Sequence, residues 1–211
     1  FQGSIHGTGG GTTTNIAGLT SGTGTVTVKA IDTDIEDITI SGPTKLQGNI
    51  TTANNGVISI TGATKVDVAT LAIDTTAGGG GAITITGALD SLTSARNLDI
   101  NSGTAVTKIT GNIGTTLALA TLDINQTEGT GSIQILGNIG TETTSGAGIV
   151  RIGNDGTTGT ITFGTSGIAG DYFTTGAQTY IADGYSLLGT DPDFNASSEN
   201  TKFRKYVTVG L

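Results

Sequence analysis

Few residues in this chain are of the types that carry out nucleophilic, acid–base or metal chemistry. The 211 residues include one histidine, His6, and no cysteine. A Ser–His–Asp or Cys–His arrangement needs a histidine beside its nucleophile, and His6 lies just after residues 1–4, which have the form of an expression-tag scar. The sequence therefore predicts no catalytic triad, no disulfide, and no metal site built from histidine or cysteine.

Carboxylates are the remaining candidates for chemistry. The densest acidic run places Asp32, Asp34 and Glu36 at alternate positions, and in an extended strand this alternation puts them on one face. Ca²⁺ takes six to eight oxygen ligands, so these three residues are candidate calcium ligands, with a solvated polar face as the competing interpretation. A second acidic group, Asp191, Asp193 and Glu199, lacks the glycine spacing of a calcium loop. Calcium is the only cofactor that the sequence suggests.

Enzymatic and nucleic-acid functions have little support in the sequence. Glycosidase chemistry needs two carboxyl groups about 5–9 Å apart, and no convergent acid–base pair is evident, so we expect a protein that is not an enzyme. The net charge of −8 and the scattered basic residues argue against nucleic acid, which is bound through clustered Lys and Arg. No apolar run approaches the roughly 20 residues of a membrane-spanning helix.

The elements that position these residues are revealed by an internal repeat. A phrase of the form apolar, any residue, apolar, any residue, Gly recurs every 20 to 28 residues, as in residues 58–62 and 83–87. A second phrase, Leu-x-Ile, recurs in phase with it at residues 71–73, 98–100 and 122–124. Each phrase alternates apolar and polar residues, which is the pattern of a half-buried strand. Helix signals are almost missing, and the stretch from Ala88 to Ala95 is predicted to hold one short turn at most.

Two architectures compete for these strands, an antiparallel sandwich and a parallel β-solenoid. Only a solenoid explains why residue types repeat at a fixed step, because each coil then stacks like residues on like. We therefore predict an all-β fold, a parallel β-solenoid with coils of about 20–28 residues. One predicted core column is Ile40, Ile60, Ile85, Ile109, Ile135 and Phe163. A second is Leu71, Leu98, Leu122 and Val150, and a third is Ile73, Ile100, Ile124 and Ile152.

The aromatic residues concentrate at the C-terminal end, where the repeat is interrupted. Four of the five Phe and all four Tyr residues lie between Phe163 and Tyr206. Because Tyr is enriched in interface hot spots, the candidate interface residues are Tyr172, Phe173, Tyr180 and Tyr185. We expect residues 5–195 to form the repeat domain, and residues 196–211 to be a cap or the truncated start of a next module.

The repeats resemble the repeat regions of very large bacterial surface exoproteins, of the filamentous-haemagglutinin and autotransporter-passenger kinds. The resemblance covers roughly residues 20–190 and is carried by the repeat rhythm, by residues 174–180 and by the phrases at 111–114 and 137–140. It implies a secreted, non-catalytic adhesin or stalk at the bacterial cell surface. Its partners would be a host-cell, glycan or matrix surface, or neighbouring repeats of the same chain.

Two other functions remain open as alternatives to this one. A carbohydrate-binding or polysaccharide-processing β-helix is the first, although the aromatic-poor composition departs from the usual Trp and Tyr sugar platforms. Ice binding is the second and is less favoured. Its Thr-x-Thr arrays must be flat, and the predicted outer column is interrupted by Lys108 and Gln134.

Overall fold

Alternating Ile, Leu, Val and Thr residues form short strands along the whole described chain, because residues branched at Cβ favour the pleated backbone. The structure is a computed structural model, and it describes residues 4–6, 16–20, 24–156, 159–168 and 170–205. The strands, in chain order, are β1 Ser4–His6, β2 Ile16–Thr20, β3 Val26–Val28, β4 Ala30–Thr33, β5 Ile38–Ser41, β6 Thr44–Leu46, β7 Ile50–Thr52, β8 Ile58–Thr61, β9 Thr64–Val66, β10 Thr70–Asp74, β11 Ile83–Ile85, β12 Leu89–Ser91, β13 Asn97–Asn101, β14 Thr107–Ile109, β15 Leu119–Ile124, β16 Ile133–Ile135, β17 Ala147–Ile152, β18 Thr160–Phe163, β19 Asp171–Thr174, β20 Gln178–Ala182, β21 Gly184–Leu187, β22 Asp193–Ala196 and β23 Thr201–Lys205.

The strands assemble into three parallel sheets that wind as a β-solenoid of about seven turns, and the described residues contain no helix. Sheet A runs β1-β4-β7-β10-β13-β15-β17 and continues through β19 to β22 and through β20 to β23. Sheet B runs β2-β5-β8-β11-β14-β16-β18-β21, and sheet C runs β3-β6-β9-β12. Each strand pairs with its equivalent one coil away, so the predicted fold class is confirmed.

The core columns lie in the register that the repeat predicts. In sheet B, Ile85 pairs with Ile60 on one side and Ile109 on the other, and the column continues to Ile135 and Phe163. In sheet A, Ile100 pairs with Ile73 and Ile124, and the same column ends in Ile152, Tyr180 and Phe203. The column residues from Ile40 to Tyr180 are completely buried, so the core is a stack of ladders along the solenoid axis.

Sheet C was not anticipated from the sequence. Its inner positions alternate between small and large residues, such as Thr64 and Val66, and the buried Thr64 hydroxyl donates to the Gly62 carbonyl oxygen at 3.2 Å. The stretch from Ala88 to Ala95, predicted to hold one short turn at most, contains no helix, and Leu89–Ser91 is strand β12, which pairs with β9. Beyond β12 the sheet is reduced to single bridges that join Leu89 to Ile113 and Ile113 to Ile139.

Parallel strand pairing extends into residues 196–211, the segment expected to be a cap or the start of a next module. Strand β23 pairs over its full length with β20, in the register Gln178 to Thr201 and Ala182 to Lys205. Residues 206–211 lie outside the described residues, and so do residues 1–3 of the predicted tag scar. Ser4, the last residue of that predicted scar, begins β1, which pairs with β4.

Candidate functional site

The predicted calcium ligands do not converge. Strand β4 ends at Thr33, so the alternation that was expected to align the three carboxylates stops after Asp32. Asp32 accepts a hydrogen bond from Thr51 Oγ1 at 2.6 Å, and Asp34 accepts one from Asn54 Nδ2 at 2.6 Å. Both partners lie one coil further along, so these two carboxylates link neighbouring coils.

The Glu36 side chain binds the backbone of the two residues that precede it. Its Oε2 accepts the backbone N–H groups of Asp34 and Ile35 at 3.2 and 3.1 Å, and the residue is buried. These backbone donors, Ile35 foremost, hold the pKa of Glu36 below its ordinary value. Within the described residues no group of three or more His, Cys, Asp or Glu side chains is arranged to hold a metal ion.

A column of charged side chains crosses the outer face of sheet A. Asp99 pairs in register with Asp123, and Asp123 pairs with Arg151. Arg151 forms a two-pronged ion pair with Asp123, with Nε–Oδ1 and Nη2–Oδ2 distances of 2.7 and 2.6 Å. Asp99 is left with a hydrogen bond from Asn101 Nδ2 at 3.1 Å. Burial raises the pKa of Asp99 above its ordinary value, and the neighbouring Asp123 charge raises it further.

We expect the substitution Asp99→Asn to stabilise the protein at neutral pH. An amide keeps an oxygen to accept the Asn101 hydrogen bond and removes the repulsion with Asp123, and such cross-strand repulsion is worth about 0.2–1 kcal/mol. The melting temperature should rise by about 1 to 3 °C at pH 7. Because the pKa of Asp99 is raised on folding, the gain should be full above that raised pKa and should vanish below the unfolded value of about 3.9.

The matched control is Asp123→Asn in the same column. It removes the same repulsion but also breaks the two-pronged pair with Arg151, so at pH 7 this variant should melt below Asp99→Asn. Thermal melts of both variants between pH 3 and pH 8 measure the effect. A gain for Asp99→Asn that is equal at pH 3 and pH 7 would contradict the electrostatic cause.

Half of the predicted aromatic interface is part of the core. Tyr172 and Tyr180 are completely buried, so their prediction as interface residues is corrected. They pack around Phe163, with ring centroids 5.2 and 5.0 Å from its ring, and Tyr172 stacks on Phe194 at 4.5 Å. These rings replace Ile and Leu in the last coils and fill the same columns with larger side chains.

A buried glutamine joins this aromatic cluster to the backbone. Gln178 occupies the column of Leu122 and Val150, and its Nε2 donates to the carbonyl oxygens of Tyr172 and Asn195 at 2.7 and 2.8 Å. Its Oε1 accepts the Tyr180 hydroxyl at 2.9 Å. With both its amide nitrogen and its oxygen hydrogen-bonded, Gln178 has a structural role in this core.

Two of the predicted aromatic residues reach the surface. Phe173 is half-buried on the outer face of sheet A, because the alternation of β19 turns Tyr172 and Thr174 inward. Tyr185 is also half-buried, and its hydroxyl lies within hydrogen-bond distance of two carbonyl oxygens, that of Tyr180 at 2.9 Å and that of Arg204. The Phe203 ring, which was not predicted, is 44% exposed.

Two concavities on the surface of the described residues are large enough to hold part of a ligand. The larger, about 500 Å³, is a groove across the outer face of sheet C. Its lining residues are Thr25, Thr27, Pro43, Thr44, Lys45, Ala63, Lys65 and Leu92. The lysine charges in it are already compensated, since Lys65 pairs with Asp90 at 2.8 Å and Lys45 with Asp67 at 3.4 Å.

The smaller concavity, about 190 Å³, lies beside Phe173 and is called here the Phe173 pocket. Its lining residues are Thr141, Glu142, Thr143, Thr144, Ser145, Phe173, Thr174, Asn195 and Ser197. Hydroxyl, amide and carboxylate groups surround one aromatic ring there. Of the residues predicted from the sequence, only Phe173 belongs to this pocket.

The outer column of sheet B has the register that an ice-binding surface would need. Thr84 pairs with Ser59 and with Lys108, and Lys108 pairs with Gln134. The long Lys108 and Gln134 side chains interrupt the run of short hydroxyl residues. The column therefore does not form a continuous flat Thr array.

The fold defines the chain as a parallel β-solenoid protein. No family model, no curated protein and no solved structure matches the chain, so the class rests on the geometry of its sheets. Among the described residues no helix is long and apolar enough to cross a membrane.

Proposed function

We propose that the chain is a non-catalytic structural and adhesive segment of a bacterial surface protein, which acts outside the cell. The observation that carries the proposal is the continuous column from Ile40 to Phe163, which joins successive coils of sheet B by the same contact. A protein built from repeated neighbour contacts is a stiff, elongated object with long exposed faces. Such an object suits the task of holding a ligand-binding surface away from a cell.

The dimensions of the rod follow from the sheet geometry. Equivalent strands lie about 4.8 Å apart, so about seven turns span roughly 30–35 Å. The outer faces of sheets A and B run along this whole length and are rich in Thr, Ser, Asn and Asp residues. These polar faces support a role in contact with solvent and with extended partners.

A polysaccharide-processing β-helix is the second candidate, and it is favoured by one observation. Asp99, whose pKa is raised above its ordinary value by burial, stands in register beside Asp123, and glycosidase chemistry uses two neighbouring carboxyl groups. In this chain Arg151 binds both oxygens of Asp123. Release of reducing sugar from pectin, alginate or glycosaminoglycan, lost in Asp99→Asn, would favour this second candidate over the first.

The location of the protein tests the first proposal. Antibodies raised against the purified chain should label intact cells of the organism that produces it, and brief protease treatment of intact cells should abolish the labelling. A cytoplasmic protein in the same cells serves as the control and should be labelled only after permeabilisation. Labelling of the chain only after permeabilisation would contradict an extracellular role.

A further inference from the structure

The Phe173 pocket is formed by one loop and two neighbouring strands of sheet A. The loop of residues 141–145 closes on itself, because Thr141 and Thr144 exchange backbone hydrogen bonds at 2.7 and 3.1 Å. The Thr141 hydroxyl also accepts the Thr144 N–H at 3.1 Å. These bonds fix the loop that lines one side of the pocket.

The opposite side of the pocket is fixed by strand pairing. The Phe173 N–H donates to the Ile139 carbonyl oxygen at 2.7 Å, and the Phe173 carbonyl oxygen accepts the Gly146 N–H at 2.8 Å. One coil further along, Asn195 stands in register with Phe173. The backbones of the loop, of Phe173 and of Asn195 therefore keep their relative positions without a ligand, which lowers the entropic cost of binding one.

The polar groups of the pocket are available to a ligand. Glu142, Thr143, Thr144 and Asn195 are exposed, and within the described residues no protein group is hydrogen-bonded to the Glu142 carboxylate or to the Asn195 side-chain amide. The carboxylate is an acceptor only, whereas the amide can both donate and accept. A ligand with several hydroxyl groups on one edge would match this set.

The chemistry points to a sugar ring, and we propose that the Phe173 pocket binds one neutral pyranose unit of a glycan. A pyranose has a face of C–H groups that can lie on the Phe173 ring and an equatorial edge of hydroxyl groups that can meet Glu142, Thr143 and Asn195. The volume of about 190 Å³ accommodates one such ring. The Glu142 charge opposes acidic sugars, so the ligand is a hexose or an N-acetylhexosamine.

This inference deepens the adhesive role proposed above by naming its ligand class, and the two are tested separately. Cell labelling reports where the protein is located, whereas sugar binding is measured on the purified chain. Either result can fail without the other. For a ligand of this size in an open pocket we expect a dissociation constant on the order of 1 mM.

Saturation-transfer NMR on the intact chain tests the proposal, with the methyl glycosides of glucose, galactose, mannose and N-acetylglucosamine as probes. At least one probe should receive saturation, strongest at the ring protons of its C–H face. The variants Phe173→Ala and Asn195→Ala should each weaken binding at least fivefold. Methyl glucuronide, the acidic counterpart of the glucose probe, should bind at least fivefold more weakly than that probe, and the variant Glu142→Gln should reduce this difference.

Two variants control for the specificity of the binding and for the folding of the protein. Leu187→Ala removes an exposed apolar side chain from a different sheet and should leave binding unchanged. Asn195 is exposed, so Asn195→Ala should fold even if Phe173→Ala does not. The proposal is overturned if no probe receives saturation, or if Asn195→Ala binds as tightly as the unchanged chain.

Discussion

Replacing Ile109 by Asp should unfold the protein or lower its melting temperature by about 10 to 20 °C. Ile109 is completely buried between Ile85 and Ile135 in the central part of sheet B. The substitution removes an apolar side chain from the ladder, a loss that costs about 2–5 kcal/mol even for a change to Ala. It also places a carboxylate in a column without a hydrogen-bond donor, which adds a desolvation penalty. We expect a total loss of about 5 kcal/mol or more, which corresponds to the stated shift for a chain of this size.

The matched control for this prediction is Lys108→Asp, on the same strand. Lys108 points outward, and its neighbours in register are Thr84 and Gln134, so the new carboxylate meets solvent and no like charge. This variant should melt within about 2 °C of the unchanged chain, since surface substitutions change stability by about 0.5 kcal/mol at most. Circular dichroism melts of both variants measure the difference. Equal midpoints for Ile109→Asp and Lys108→Asp would mean that Ile109 is not in the core.

The repeated columns could be predicted from the sequence because each column contributes several residues of similar type at nearly equal steps along the chain. A single Ile at position 85 says little, but Ile60, Ile85 and Ile109 at nearly equal steps indicate a shared environment, and the structure pairs them directly. Sheet C escaped prediction because its inner positions include Thr44 and Thr64, which interrupt the run of apolar residues. A buried Thr whose hydroxyl binds the backbone gives no hydrophobic signal.

The surface could not be predicted in the same way. Asp32, Asp34 and Glu36 do not converge because a strand ends at Thr33, and a strand end changes which face a residue occupies. Tyr172 and Tyr180 were expected at an interface from their residue type, yet each occupies a core column that smaller residues fill in earlier coils. The Phe173 pocket joins a loop near residue 143 to Asn195, and only the stacking of coils with insertions of different length brings these residues together.

The sequence shows where the glycine at the end of each repeat phrase lies, but it does not show why a glycine is needed there. Gly-rich corners are expected to supply positive φ angles, and residues 78–80 do so with φ values of 79°, 136° and 95°. Gly111 does not have a positive φ. Instead, a Cβ added at Gly111 would lie 1.9 Å from the Gly87 carbonyl oxygen, and one at Gly87 would lie 2.0 Å from that of Gly62. These glycines stack on each other and allow neighbouring coils to approach at this corner.

The variant Gly111→Ala should therefore cost about 3 kcal/mol or more, although it adds a single methyl group. The atom that it meets belongs to the Gly87 backbone, so relief requires two coils to separate and their ladder hydrogen bonds to lengthen. We expect the melting temperature to fall by about 6 to 12 °C. Gly24→Ala is the matched control, because a Cβ there meets nothing within 4 Å. A Gly-to-Ala change restricts the unfolded chain equally at both positions, so the difference between the two variants isolates the clash. Equal melting temperatures for Gly111→Ala and Gly24→Ala would show that the coils are not in contact at Gly111.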